Sequence, residues 1–136
     1  FLFENSAKFM GWKIGNNGFE MMLSSELPKI ILNSASPRAK EILLNKGFNI
    51  SQIKHWALHP GGRAILDSLQ NGLELSDEQL KPSREILKNY GNLSSVSILF
   101  VLKNIKENNL LQKDEYCCAI AFGPGLTMEL VLFRIS

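Results

Sequence analysis

Strand-like and helix-like segments alternate along the whole of this sequence, and that alternation leaves few architectures open. Residues 9–14 and 18–23 are apolar-rich and are split by Gly15-Asn16-Asn17-Gly18, a turn signal suited to a hairpin. Pro28 fits the first turn of a helix, where its missing N–H costs nothing; Ser36-Pro37 repeats that start, and Lys46-Gly47 supplies a stop. The spacing predicts two consecutive helical pieces near 28–34 and 37–46. Residues 53–58 read as a short strand ended by His59-Pro60-Gly61-Gly62, and 63–69 place Ile65, Leu66 and Leu69 on one helical face. Ser76 and Gln79 form a capping-box pattern ahead of a helix that stops at Tyr90-Gly91. Asn92 then caps residues 93–105, a helix apolar nearly all round and expected inside the protein. Residues 104–115 are polar and read as an exposed connection. Two strand-like runs, 116–122 and 127–135, flank Gly123-Pro124-Gly125. The interleaving predicts an α/β architecture, a mixed sheet with helices packed on its faces, and no linker or repeat divides it.

At 136 residues, 45% apolar and 21% charged, the chain suits one domain that buries roughly two thirds of its extended surface. Fifteen basic against thirteen acidic residues leave a scattered net charge of +2, which argues against a nucleic-acid partner. The strongest apolar run, 96–102, is too short to cross a bilayer, and no exported-protein leader opens the chain. The only cysteines, Cys117 and Cys118, are adjacent and make no disulfide framework, so the expected compartment is the reducing cytoplasm. The first residue is Phe, which points to a fragment or a processed chain.

Few residues carry chemistry. His55 and His59 would lie about 13 Å apart along one strand, too far for a shared ion, and no metal is expected. His59 ends a strand beside Pro60-Gly61-Gly62; such strand ends bind ligands in α/β sheets, although from this motif alone a histidine in an ordinary turn is the commoner reading. Asn92 is either a helix cap or an amide donor to a developing oxyanion. Phe122-Gly123-Pro124-Gly125 is either a plain turn or a pocket wall, and no nucleotide-phosphate loop is present. Cys117 and Cys118 sit in an apolar strand with no base nearby and read as core. Lys81, Arg84 and Lys88 read as a solvated helix face.

Four blocks in order resemble the C-terminal half of type III polyketide synthases, the chalcone-synthase-like enzymes: Gly11-Trp12-Lys13-Ile14-Gly15-Asn16-Asn17-Gly18-Phe19, Trp56-Ala57-Leu58-His59-Pro60-Gly61-Gly62, Tyr90-Gly91-Asn92-Leu93-Ser94-Ser95, and Phe122-Gly123-Pro124-Gly125-Leu126-Thr127-Met128-Glu129. The resemblance covers residues 1–136 as one domain and implies the C-terminal half of a thiolase-like fold. It also implies a Cys-His-Asn catalytic set in which His59 and Asn92 match the family histidine and asparagine. The nucleophilic cysteine would belong to an N-terminal half that this chain lacks, so the chain alone is expected to be inactive. The implied reaction is the decarboxylative condensation of malonyl-CoA with an acyl-CoA starter, with no cofactor beyond these thioesters.

By the same resemblance Gly61, Gly62 and Ala64 would lie near the CoA arm. Ser94, Phe122 and Pro124 would line the elongation cavity, and Met21 would stand where plant members carry a gate phenylalanine. Met21, Arg63 and Ala121 depart from the plant pattern and point to a bacterial-type member with fatty or small acyl starters, away from naringenin-chalcone formation. The full-length enzyme is expected to be a homodimer without nucleic-acid or membrane partners. The alternatives are an initiating ketoacyl-acyl-carrier-protein synthase, and a non-catalytic half-thiolase module that binds acyl-CoA or a partner subunit.

Overall fold

A computed structural model describes residues 1–16, 18–108 and 110–136. Strands β1 (Met10–Gly15) and β2 (Gly18–Leu23) form an antiparallel hairpin, as expected from the sequence; Asn17, in its turn, lies outside the described residues. Helix α1 (Leu27–Ile30) runs through a π turn (Ile31–Ala35) into α2 (Ser36–Asn45). The two expected helical pieces are therefore one continuous run. Pro37 has no N–H to give the carbonyl one turn earlier, and the chain widens into the π turn there instead of stopping. Ile31, Ala35, Ala39 and Leu43 stay buried on one face, packed on α3 (Arg63–Leu73). Gly72 makes that crossing close: a Cβ there would lie 2.3 Å from Ser36 Oγ.

Strand β3 (His55–Leu58) starts two residues later than the sequence predicts, after a short 3-10 turn, and α3 runs four residues further. Helix α4 (Asp77–Tyr90) opens on the predicted Ser76–Gln79 capping box and ends at Gly91, whose φ is +73°. Its Arg84 is more than a solvated cation, since it donates to Asp67 Oδ1 at 2.6 Å and to Gln70 Oε1 at 2.7 Å on α3.

Two expectations fail at α5 (Ser97–Glu107). It is not buried all round: Ser97, Val101 and Ile105 face inward, while Leu99 is 61% exposed. It also extends into the segment read as a connection, because Ile105 continues the inward stripe; Asn109, in that segment, lies outside the described residues.

Strands β4 (Tyr116–Gly123) and β5 (Thr127–Arg134) complete a mixed sheet of order β3-β4-β5, parallel between β3 and β4 and antiparallel between β4 and β5. Alternation of side chains sends Trp56, Leu58, Cys118 and Ile120 to the core shared with α1–α3. Ala57 and Cys117 go to the core shared with Ile86 of α4 and with α5. This α/β arrangement, with helices on both faces of a mixed sheet, is the one the sequence predicts.

Candidate active site

His59 is placed by the strand that precedes it. Its backbone N–H donates to Ile120 O at 2.9 Å and extends the β3–β4 ladder by one residue; its carbonyl then accepts from Gly61 N at 2.9 Å and closes a tight turn. The residue is 8% exposed, and among the described residues neither ring nitrogen has a hydrogen-bond partner. Burial disfavours the imidazolium and pushes the pKa below 6.5, so the ring is neutral at physiological pH. Gly61 lies against its open edge: a Cβ there would stand 3.5 Å from Cδ2 and 3.8 Å from Nε2.

Asn92 arrives from another element. Gly91 turns the chain out of α4, and the Asn92 amide is then oriented within its own loop. Oδ1 accepts from Ser94 N at 2.9 Å, and Nδ2 donates to Gly61 O at 3.3 Å, across to the histidine loop. Asn92 does not cap α5 as the sequence suggested. A 3-10 turn (Ser94–Val96) intervenes, and Ser97 Oγ takes the Leu93 N–H at 2.7 Å.

His59 and Asn92 meet at a cleft of about 690 Å³. Of the other residues picked out from the sequence, Met21, Gly61, Ala64, Ser94, Phe122 and Pro124 also line it. Gly62 does not line it: it is the N-cap of α3, and nothing lies within 4 Å of the Cβ it lacks. Of the hairpin wall, sequence reasoning found Met21 and missed Met10, Trp12 and Leu23. Met10 pairs with Leu23 and Trp12 with Met21 across β1 and β2, so all four side chains share the face that lines the cleft. The two-residue alternation of the hairpin would have put Trp12 beside Met21.

Cys117 and Cys118 are fully buried, and burial pushes both thiols up to about 12, so neither supplies a thiolate. His55 points away from the cleft into a hydrogen bond with Glu115, 2.5 Å from Nε2 to Oε2. Among the described residues no cluster of three His, Cys, Asp or Glu is placed to hold a metal, and no helix is long and apolar enough to cross a membrane.

Residues 1–136 match the family described as chalcone and stilbene synthases, C-terminal domain. The chain belongs to that family, and its fold is the thiolase-like α/β fold of type III polyketide synthases. Among curated relatives it is 38% identical to type III polyketide synthase B of Arabidopsis thaliana, over 93% of this chain and 34% of that protein. It is 35% identical to the alpha-pyrone synthesis polyketide synthase-like Pks18 of Mycobacterium tuberculosis, over 98% of this chain and 34% of that protein. Among solved structures it superposes on 1,3,6,8-tetrahydroxynaphthalene synthase of Streptomyces coelicolor with a TM-score of 0.92 at 26% identity, covering 99% of this chain and 38% of that one. The chain thus spans about a third of the length of the relatives it matches.

Proposed function

We propose that this domain supplies the histidine and asparagine of a type III polyketide synthase active site, which decarboxylates malonyl-CoA and condenses the product with an acyl group. The observation that carries this reading is the convergence of His59 and Asn92, from separate elements, on one largely apolar cleft. In decarboxylation the bond to the carboxylate breaks and its electron pair becomes an enolate, with charge on the thioester oxygen. A neutral His59 ring and the Asn92 Nδ2 each offer an N–H to that oxygen, the histidine from a buried position. The enolate carbon then attacks an acyl thioester, the new carbon–carbon bond forms, and a cysteine thiolate leaves. That cysteine would come from the remainder of the protein, since Cys117 and Cys118 are unsuited. A thiolate brought beside His59 would favour the imidazolium and offset the effect of burial.

No cofactor beyond the CoA thioesters enters this scheme. The exposed tip of the hairpin, Ile14 and Phe19 at 83% and 76%, supports covering by the remainder of a homodimeric enzyme. The cytoplasm, where thiols stay reduced, suits a cysteine nucleophile. In the full-length protein, His59→Gln should lower CO2 release from malonyl-CoA by about 10²–10³ with the fold intact by circular dichroism. Undiminished release would remove the role given to His59.

A further inference from the structure

We propose that Ser83 is a positioning residue that sets the spacing of His59 and Asn92; this rests on the reading of those two residues given above. Strand β3 is at the edge of its sheet, with β4 on one side only. His59, one residue beyond the strand, turns its N–H toward β4. Alternation along the strand turns the N–H of Leu58 the other way, toward α4. Leu58 is fully buried, so that donor needs a partner. It finds one in Ser83 Oγ at 3.1 Å, and Ser83 is fully buried as well.

Ser83 stands in the middle of α4, and the C-terminal end of α4 leads through Gly91 into Asn92. Leu58 is the residue before His59. One hydrogen bond therefore joins the helix that delivers the asparagine to the strand that delivers the histidine. Apolar packing of α4 on β3 allows sliding. Gln79 Nε2, donating to Ile53 O at 3.2 Å, pins the first turn of α4 ahead of the strand, and the Ser83 bond pins the middle of the helix at the end of the strand that leads into His59. A change of a few tenths of an ångström between two donors aimed at one oxygen falls on the rate rather than on binding.

The test is made in the full-length protein with Ser83→Ala, Ser83→Thr and His59→Gln, all assayed for CO2 release from malonyl-CoA. Ser83→Ala should lower kcat about tenfold with KM within about twofold, and should speed hydrogen exchange at the Leu58 amide. Ser83→Thr, which keeps the oxygen, should restore both. If Ser83→Ala does not fold, Ser83→Cys keeps the shape, weakens the acceptor and is read the same way. Faster exchange at Leu58 with unchanged kcat would overturn the positioning role. Loss of activity in His59→Gln with none in Ser83→Ala overturns this inference alone, whereas an active His59→Gln overturns the functional reading and this with it.

Discussion

His55 and His59 stand at the two ends of one short strand and are almost equally buried, at 9% and 8% exposure. At the first end, Glu115 faces the imidazole at 2.5 Å and also takes a proton donor from Lys54 and the Gln112 N–H at 3.1 Å. The His55 contact first, and Lys54 second, hold the Glu115 carboxyl down at about 2. At the second end, among the described residues, no side chain hydrogen-bonds the ring, and burial lowers its pKa. Burial is thus common to both, and the partner makes the difference. A histidine whose nitrogen is spent on a carboxylate ties β3 to the start of β4. One whose nitrogens are free, at the wall of an apolar cleft, is available to a ligand.

That contrast breaks most sharply if the two histidines are exchanged for glutamine in turn. His59→Gln should cost about 10²–10³ in malonyl-CoA decarboxylation and little in urea stability. His55→Gln should do the reverse, lowering the urea midpoint while the folded enzyme keeps its rate. Equal losses of activity in both would mean that the ends of β3 are not distinct in role.

Much of the local structure could be read from the sequence because neighbours in the chain set it. The Ser76–Gln79 box, the Gly91 stop and the turn at Gly123-Pro124-Gly125 are of this kind. The continuity of α1 with α2 could not be read, since Pro37 looks like a start until α3 packs on Ala35 and Ala39 and holds the run together. The surroundings of α5 failed for a related reason. Its apolar residues face several directions, and this chain covers only the side of Val101 and Ile105. His59 and Asn92 were linked by four motif blocks in order, not by local pattern, because they lie 33 positions apart in the chain. The hairpin wall around Trp12 needed the strand register, and Ser83 needed the edge position of β3.

Glycines sharpen the same comparison between tight packing and an open site. Gly72 sits in the last turn of α3, where alanine, the better helix former, would normally help by up to about 1 kcal/mol. Here a Cβ would stand 2.3 Å from Ser36 Oγ and 2.4 Å from its Cβ, so Gly72→Ala should destabilise by about 1–3 kcal/mol in urea titration. Gly62→Ala, with nothing within 4 Å, should stay within about 0.5 kcal/mol. A harmless Gly72→Ala would show that α2 and α3 can part without cost.

Gly61→Ala should have a smaller effect, and on binding rather than stability. Its Cβ would meet His59 Cδ2 and Nε2 at ordinary contact distances, 3.5 and 3.8 Å, so the fold tolerates it. The methyl would nonetheless narrow the approach to the free edge of the ring. KM for malonyl-CoA should rise severalfold at an unchanged melting temperature, and an unchanged KM would place the substrate path elsewhere.

The smallest effect expected is on stability against pH, and it separates the two ends of β3 by where each slope falls. Burial lowers the pKa of His59 below 6.5 in the folded chain, so between those values the unfolded chain binds more protons. Its contribution is complete above pH 6.5 and is lost as pH falls through the lowered folded value. Glu115 acts lower on the scale: its carboxyl shifts from the ordinary 4.5 to about 2, so its contribution is complete above 4.5 and fades toward pH 2. Solvent near Glu115 keeps that second slope modest. Urea midpoints measured from pH 8 to pH 3 should therefore show a first decline that His59→Gln removes and a second that Glu115→Gln removes. A first decline that survives His59→Gln would mean that the ring is not held neutral by burial, and the contrast with His55 would lose its physical basis.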